Sequence, residues 1–168
     1  MVNLPWRHDS LEQGQTLFRR KDPVLRMFRV EEGEIHLVRY QKSGQALTLQ
    51  RANRQAVVAD ASLFAKEYHC DAMAQVDTVV SSVRVPEFKD FLRANSEASL
   101  SWMIHLGRTA QDARFRAELI SLRTVDERLS AWIDWHQSDL PQKGQWRSLA
   151  EELGVSSEAL YRTLAKRR

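Results

Sequence analysis

From Glu97 to Arg123 the chain carries one long helical pattern without a proline, and the rest of the sequence is arranged around it. Met103, Leu106, Ala110, Ala113, Ala117 and Ile120 fall at alternating steps of three and four, the spacing of a heptad seam. Trp102, Phe115, Leu119 and Leu122 lie off that seam and offer a second apolar stripe, available for packing on the N-terminal part of the chain. One stripe for that packing and another for a partner helix points to a homodimer, with the alanines letting two backbones approach closely. A helix packed only on its own domain is the plainer alternative.

Ahead of this helix the pattern is one of short strands. Thr16–Phe18, Arg26–Val30, Glu34–Tyr40, Ala46–Gln50, Val57–Val58, Asp71–Ala74 and Val79–Val85 are the candidates. Gly14, Gly33 and Gly44 punctuate them, and Ser43-Gly44 is a hairpin turn signal. Many short strands at regular spacing predict a small antiparallel barrel or roll. Pro86 then opens a helix whose apolar face is Phe88, Phe91 and Leu92.

Behind the long helix, Thr124-Val125-Asp126-Glu127 is a capping box and marks a new helix that buries Val125, Leu129, Trp132 and Ile133. Gln137–Gly144, which contains Pro141, reads as a loop. Arg147–Leu153 is a short amphipathic helix, closed by Gly154 in a left-handed position. Ser156 then caps a second helix that buries Ala159, Leu160 and Leu164. Helix, glycine turn and capped helix form the helix-turn-helix pattern, in which the first helix braces the second for the DNA major groove. Arg162 is the base-edge candidate, because a guanidinium can bond guanine O6 and N7 together. Ser157 and Tyr161 are candidates for bases or phosphates, and Lys166, Arg167 and Arg168 for phosphate anchors. The plainer alternative is a helical hairpin whose basic end is solvated.

Composition narrows the classes. The 168 residues are 43% hydrophobic and 28% charged, with a formal net charge of +3, as in an ordinary soluble protein that tolerates a nucleic-acid partner. Met1–Leu11 lacks the apolar run of a signal peptide, and no stretch is long enough to span a bilayer, so a cytoplasmic protein without a membrane partner is expected. Cys70 is the single cysteine, which removes an internal disulfide and a four-cysteine zinc or iron–sulfur site. There is no His-x-His, no nucleophile–base signature and no phosphate-binding glycine loop, so no catalytic residues and no enzyme are expected.

The order of these parts resembles the cyclic-AMP receptor/FNR (Crp/Fnr) family of bacterial transcription regulators. Val30–Leu37 is similar to that family's strand–turn–strand motif, and Ala59-Asp60-Ala61-Ser62-Leu63-Phe64 to its ligand cassette, usually G-E-x-x-L-F. Thr124–Leu129 resembles the entry into the DNA-binding domain, and Leu149–Leu164 the helix-turn-helix. The resemblance implies an α+β fold in three parts. Residues 1–96 form an antiparallel β-roll sensor or effector domain, 97–123 a dimerisation helix, and 124–168 a helix-turn-helix DNA-binding domain of the winged type. The chain stops at Arg168, where the family continues into a wing, so that domain is expected to be incomplete, with weaker phosphate contacts. Double-stranded DNA, a second copy of the chain and RNA polymerase are the partners the resemblance implies.

The cassette departs from the family pattern. Asp60 falls at the glutamate that takes the ribose hydroxyl, and Cys70 and Asp71 fall where an Arg-Ser pair takes the phosphate. A phosphate needs a cation and donors, and Asp71 supplies a negative charge instead. The protein is therefore expected not to bind cyclic AMP in the family's manner. Arg114 matches a position facing the nucleotide base, and its charge suits a pairing with Asp60 or Asp71 that fills the pocket. Haem would need His36, His69, His105 or Cys70 as an axial ligand, and a transition metal would need Asp60, His69, Cys70 and Asp71 brought together. Against these, and against Cys70 as a redox sensor, stands a packed cysteine in an altered pocket; no cofactor or metal is expected. The alternative to a DNA-binding regulator is a regulatory or dimerisation protein of the same fold that no longer binds DNA effectively.

Overall fold

A computed structural model of the chain describes residues 4–42, 44 and 46–167. Ser43, half of the expected hairpin turn, and Arg168 lie outside the described residues. The chain divides into two compact units, Met1–Leu106 and Gly107–Arg168.

The first unit is built on β1 (Arg7–Leu11), β2 (Thr16–Phe18), β3 (Arg26–Glu32), β4 (Glu34–Tyr40), β5 (Ala46–Asn53), β6 (Val57–Val58), β7 (Asp71–Ala74) and β8 (Thr78–Arg84). They form two antiparallel four-stranded sheets in the orders β1-β8-β3-β6 and β2-β7-β4-β5. Alternation places one face of each strand inward, so Val30, Val58 and Val80 of one sheet share a core with Ile35, Leu37, Ala52, Ala72 and Ala74 of the other. Two sheets sharing one apolar interior make the antiparallel roll that the strand spacing predicts. Gly33, between β3 and β4, has φ +87°, and a Cβ there would stand 2.6 Å from the Asp77 carbonyl oxygen. The turn needs glycine both for its backbone and for its space.

Four strand readings are corrected. β1 is missing from the sequence reading, because Arg-His-Asp-Ser-Leu shows no alternation; it is an edge strand held by backbone pairing with β8, from Arg7 opposite Ser82 to Leu11 opposite Thr78. β3 and β5 run on to Glu32 and Asn53, beyond their apolar stretches. β8 starts at Thr78 and ends at Arg84, and Val85 belongs to the helix that follows.

That helix is α1 (Val85–Ala94), with Pro86 in its first turn. Next comes α2 (Ser96–Ser121). Phe88 and Leu92 of α1 and Trp102 of α2 pack against the roll core, and Phe88 meets the Trp102 ring edge-on at 5.1 Å. Phe115, Leu119 and Leu122 do not serve the roll as expected. They belong to a separate core with residues that follow them in the chain.

That second core gathers Phe115, Leu119, Leu129, Trp132, Leu149, Ala150, Leu153, Leu160 and Leu164. Its helices are α3 (Val125–His136), α4 (Trp146–Glu152) and α5 (Ser157–Lys166), with a 3-10 turn at Lys143–Gln145 before α4. The capping box forms in full. Glu127 N–H donates to Thr124 Oγ1 at 3.1 Å, and Thr124 N–H donates back to Glu127 Oε2 at 2.9 Å. Thr124 Oγ1 also donates to Glu127 Oε2 at 2.9 Å, and the two bonds from Thr124, backbone and side-chain, hold the Glu127 carboxyl below the usual glutamate range.

Candidate nucleic-acid interface and effector pocket

The geometry of the α4–α5 turn follows from its sequence. Gly154 takes φ +65°, its N–H donates to the Glu151 carbonyl at 3.2 Å, and Val155 N–H donates to the Ala150 carbonyl at 2.9 Å. These two bonds are the Schellman closure of a helix, which only a residue at ease in the left-handed region completes without strain. Ser156 then accepts from Ala159 N–H at 3.2 Å and starts α5. Leu160 and Leu164 are buried against Leu149 and Leu153, which fixes the face that α5 turns outward.

The outward face carries Tyr161, 41% exposed, with Arg162 and Lys166. Ser157 is half-buried at the start of the helix. The Trp146 ring backs that of Tyr161 edge to face, with ring centroids 5.3 Å apart. Among the described residues Arg162 and Lys166 have no carboxylate within ion-pair distance. Arg167 is placed differently from the expected phosphate anchor. Its Nε donates to Asp126 Oδ1 at 2.6 Å, and its Nη2 donates to the Asp126 carbonyl at 2.9 Å and to Ser130 Oγ at 2.6 Å. Arg167 thus fastens the end of α5 to the first turns of α3, and its hydrogen bond holds the Asp126 carboxyl below the usual aspartate range.

Sequence reasoning missed Arg128. This half-buried guanidinium donates to the carbonyls of Ile120 and Leu122 at the end of α2 and to those of Leu153 and Gly154 in the α4–α5 turn. Carbonyls at helix C-termini have no intrahelical partner, and one planar fork serves two such ends. The residue looks in the sequence like any helix-surface cation.

In the roll unit, Asp60 is 3% exposed and opens a 3-10 turn at Asp60–Ser62. Ala59 before it takes φ +56°, a backbone that glycine adopts without strain. Asp60 Oδ1 accepts from Ala61 N–H at 2.8 Å, and Oδ2 lies 2.7 Å from His105 Nε2 on α2. The expected partner Arg114 is exposed and lies in the other unit; the side chain bonded to Asp60 within the roll is that of His105. Cys70 has no exposed surface and belongs to the roll core; burial pushes its thiol up, reinforced by the Asp71 charge and opposed by Arg39. Asp71 Oδ1 accepts from Arg20 N–H at 2.7 Å. The two residues at the Arg-Ser place thus supply a core thiol and a loop-fixing carboxylate. Among the described residues no three His, Cys, Asp or Glu side chains are grouped to hold a metal ion.

The α2 seam stands open within one chain. Met103 and Ile120 are 60% and 65% exposed, Ala110, Ala113 and Ala117 are exposed, and Leu106 is half-buried. Leu100 and Ile104 widen the apolar stripe, and neither stands on the strict seam read from the sequence. No helix among the described residues is long and apolar enough to cross a membrane.

Comparison with known proteins agrees with this architecture. Residues 8–95 match the family model described as the cyclic nucleotide-binding domain. The structure is similar to that of FixK2 from Bradyrhizobium japonicum, with 15% identity, a TM-score of 0.76, and coverage of 97% of this chain and 84% of that one. It is similar to the c-di-GMP responsive global regulator CLP of Xanthomonas campestris, with 15% identity, a TM-score of 0.68, and coverage of 96% and 86%. It is also similar to the Thermus thermophilus catabolite activator protein, with 22% identity, a TM-score of 0.61, and coverage of 96% and 78%. No curated protein matches the chain by sequence. With more than half of its length matched and the whole of its architecture shared with such regulators, the chain belongs to the cyclic nucleotide-binding domain family and has the fold of the Crp/Fnr transcription regulators.

Proposed function

We propose that this protein is a sequence-specific DNA-binding transcription regulator that acts as a homodimer, a binding protein and not an enzyme. The observation that carries this reading is α5 itself. It is capped at Ser156, braced through Leu160 and Leu164, and presents Tyr161, Arg162 and Lys166 on one outward face. A rigid helix with a free guanidinium suits direct readout in the major groove, and a second cation one turn on suits the phosphate backbone. The open seam from Met103 to Ile120 supports the dimer, which would set two such helices about one helical turn of DNA apart. RNA polymerase is a further partner of this reading, and the cytoplasm its compartment.

The same reading takes cyclic AMP not to be the effector. Cys70 is a core residue and Asp71 serves a loop amide, so neither offers a phosphate the cation and donors it needs. Selection from random duplexes across a salt series tests the main proposal. Enrichment of a palindrome, with affinity falling steeply as salt rises, is the expected result. A stable dimer that enriches nothing would favour the alternative, a regulatory or dimerisation protein that has given up DNA. Arg167 favours that alternative, because its engagement with Asp126 removes one cation from the expected phosphate set.

A further inference from the structure

We propose that His105 is a built-in occupant of the effector cassette, holding through α2 the acid that a free ligand would otherwise have to reach. A carboxylate buried as deeply as Asp60 needs donors, because an ionised group without them is costly to keep from water. The chain supplies both. Ala61 N–H serves Oδ1 at 2.8 Å, and His105 Nε2 serves Oδ2 at 2.7 Å. An ionised carboxylate only accepts, so the imidazole nitrogen facing it carries the proton.

His105 is positioned for this bond by its own helix. Trp102 stands three residues before it, on the same side of α2, with ring centroids 5.3 Å apart. Phe88 of α1 closes on Trp102 edge-on at 5.1 Å. The imidazole is thus the tip of an aromatic stack anchored in the roll core. Two donors of the same neighbourhood are left over, since Ser62 Oγ and Trp102 Nε1 are buried without a hydrogen-bond partner. Such orphans are uncommon in native interiors. Opened by removal of His105, the cassette offers the Asp60 carboxylate as an acceptor where the imidazole stood. That place fits a small nitrogen heterocycle with an N–H to donate.

The test is chemical rescue of the full chain by imidazole, read by thermal melting. His105→Ala keeps α2 helical and should lower the melting temperature. Millimolar imidazole should raise it again by about 2–4 °C, the shift produced by a ligand at a few times its dissociation constant. The wild type, with the site filled, and Asp60→Asn/His105→Ala, with the acceptor altered, should not respond. Equal response in all three proteins, or in none, would overturn the proposal. Should His105→Ala fail to fold, His105→Gln, whose amide can donate to the same carboxylate, should fold and melt close to the wild type. If that variant also fails to fold, a role as donor to Asp60 is excluded. The proposal rests on the family assignment of the cassette and not on DNA binding, so it can fail while the α5 reading stands.

Discussion

Arg128 Nη1 donates to the Leu153 carbonyl at 2.9 Å, which ties the α3 helix to the C-cap residue of α4. The same guanidinium serves Ile120, Leu122 and Gly154, so it completes the backbone at both the α2–α3 joint and the α4–α5 turn. Arg128→Ala should destabilise the helical unit by about 2–4 kcal/mol, because several half-buried carbonyls lose a charged donor at once. Arg128→Lys should recover only part of this, since an ammonium cannot span two helix ends as a planar fork does. Denaturant unfolding of the three proteins gives the ranking directly. A loss for alanine as small as that of an ordinary surface substitution would show that water replaces these bonds.

The two arginines near the end of the chain should separate in a DNA-binding assay. Arg162 is exposed and without a carboxylate partner among the described residues, and its replacement by Ala should cost about 1–3 kcal/mol and relax specificity at one base pair. Arg167 is held by Asp126 and Ser130, so Arg167→Ala should lower the melting temperature and leave the salt slope of binding unchanged. Lys166→Ala, which removes one phosphate contact from each half of the dimer, should reduce that slope by about two. Anisotropy titrations at several salt concentrations measure all three. A reduced slope for Arg167→Ala with an unchanged melting temperature would return that residue to the phosphate contacts.

Much of the fold was legible because burial leaves a pattern. β4, β6 and β7 begin and end where their composition changes, and the cap residues Thr124, Gly154 and Ser156 do in the structure what their chemistry requires. What the sequence concealed depends on partners and not on pattern. Arg7–Leu11 becomes a strand because β8 lies beside it, not because of its own side chains. Phe115 and Leu119 announce an apolar face, but a face does not say which core it meets. Asp60 was legible as a cassette acid, while His105, whose Nε2 lies 2.7 Å from it, stands 45 residues away on another element and left no signal in the sequence pattern. Arg167 read as a phosphate anchor for the same reason: its carboxylate is 41 positions distant.

Glu31 gives the roll a defined sensitivity to acid. Ser81 Oγ donates to Glu31 Oε1 at 2.5 Å, and Arg29 donates to the same oxygen from Nε at 3.0 Å and Nη2 at 2.7 Å. The Ser81 hydrogen bond, followed by that of Arg29, holds the carboxyl below the ordinary value of 4.5. A folded-state value below the unfolded one means that folding favours the ionised form. The contribution is therefore complete above the unfolded value and is lost as pH falls through the folded one. Melting temperature measured against pH should fall less steeply on the acid side for Glu31→Gln than for the wild type, with the two curves parallel at neutral pH. Curves that stay parallel down to the acid limit would show that the Ser81 and Arg29 bonds do not survive in solution.

The α2 seam provides the test of assembly. Ala113 and Ala117 are exposed in the single chain and touch no core, so charged replacements should change the stability of an isolated chain by no more than about 0.5 kcal/mol. In a dimer joined along this seam, the same small residues face each other at close approach. Ala113→Glu with Ala117→Glu would there set like charges and larger side chains across a desolvated contact, which such an interface does not accommodate. Sedimentation velocity should show the wild type as a dimer and the double variant as a monomer, with circular dichroism retaining the helical signal of both. A dimer that persists in the double variant would place the contact on another face of the molecule, while loss of the helical signal would show that the seam supports the fold of the chain itself.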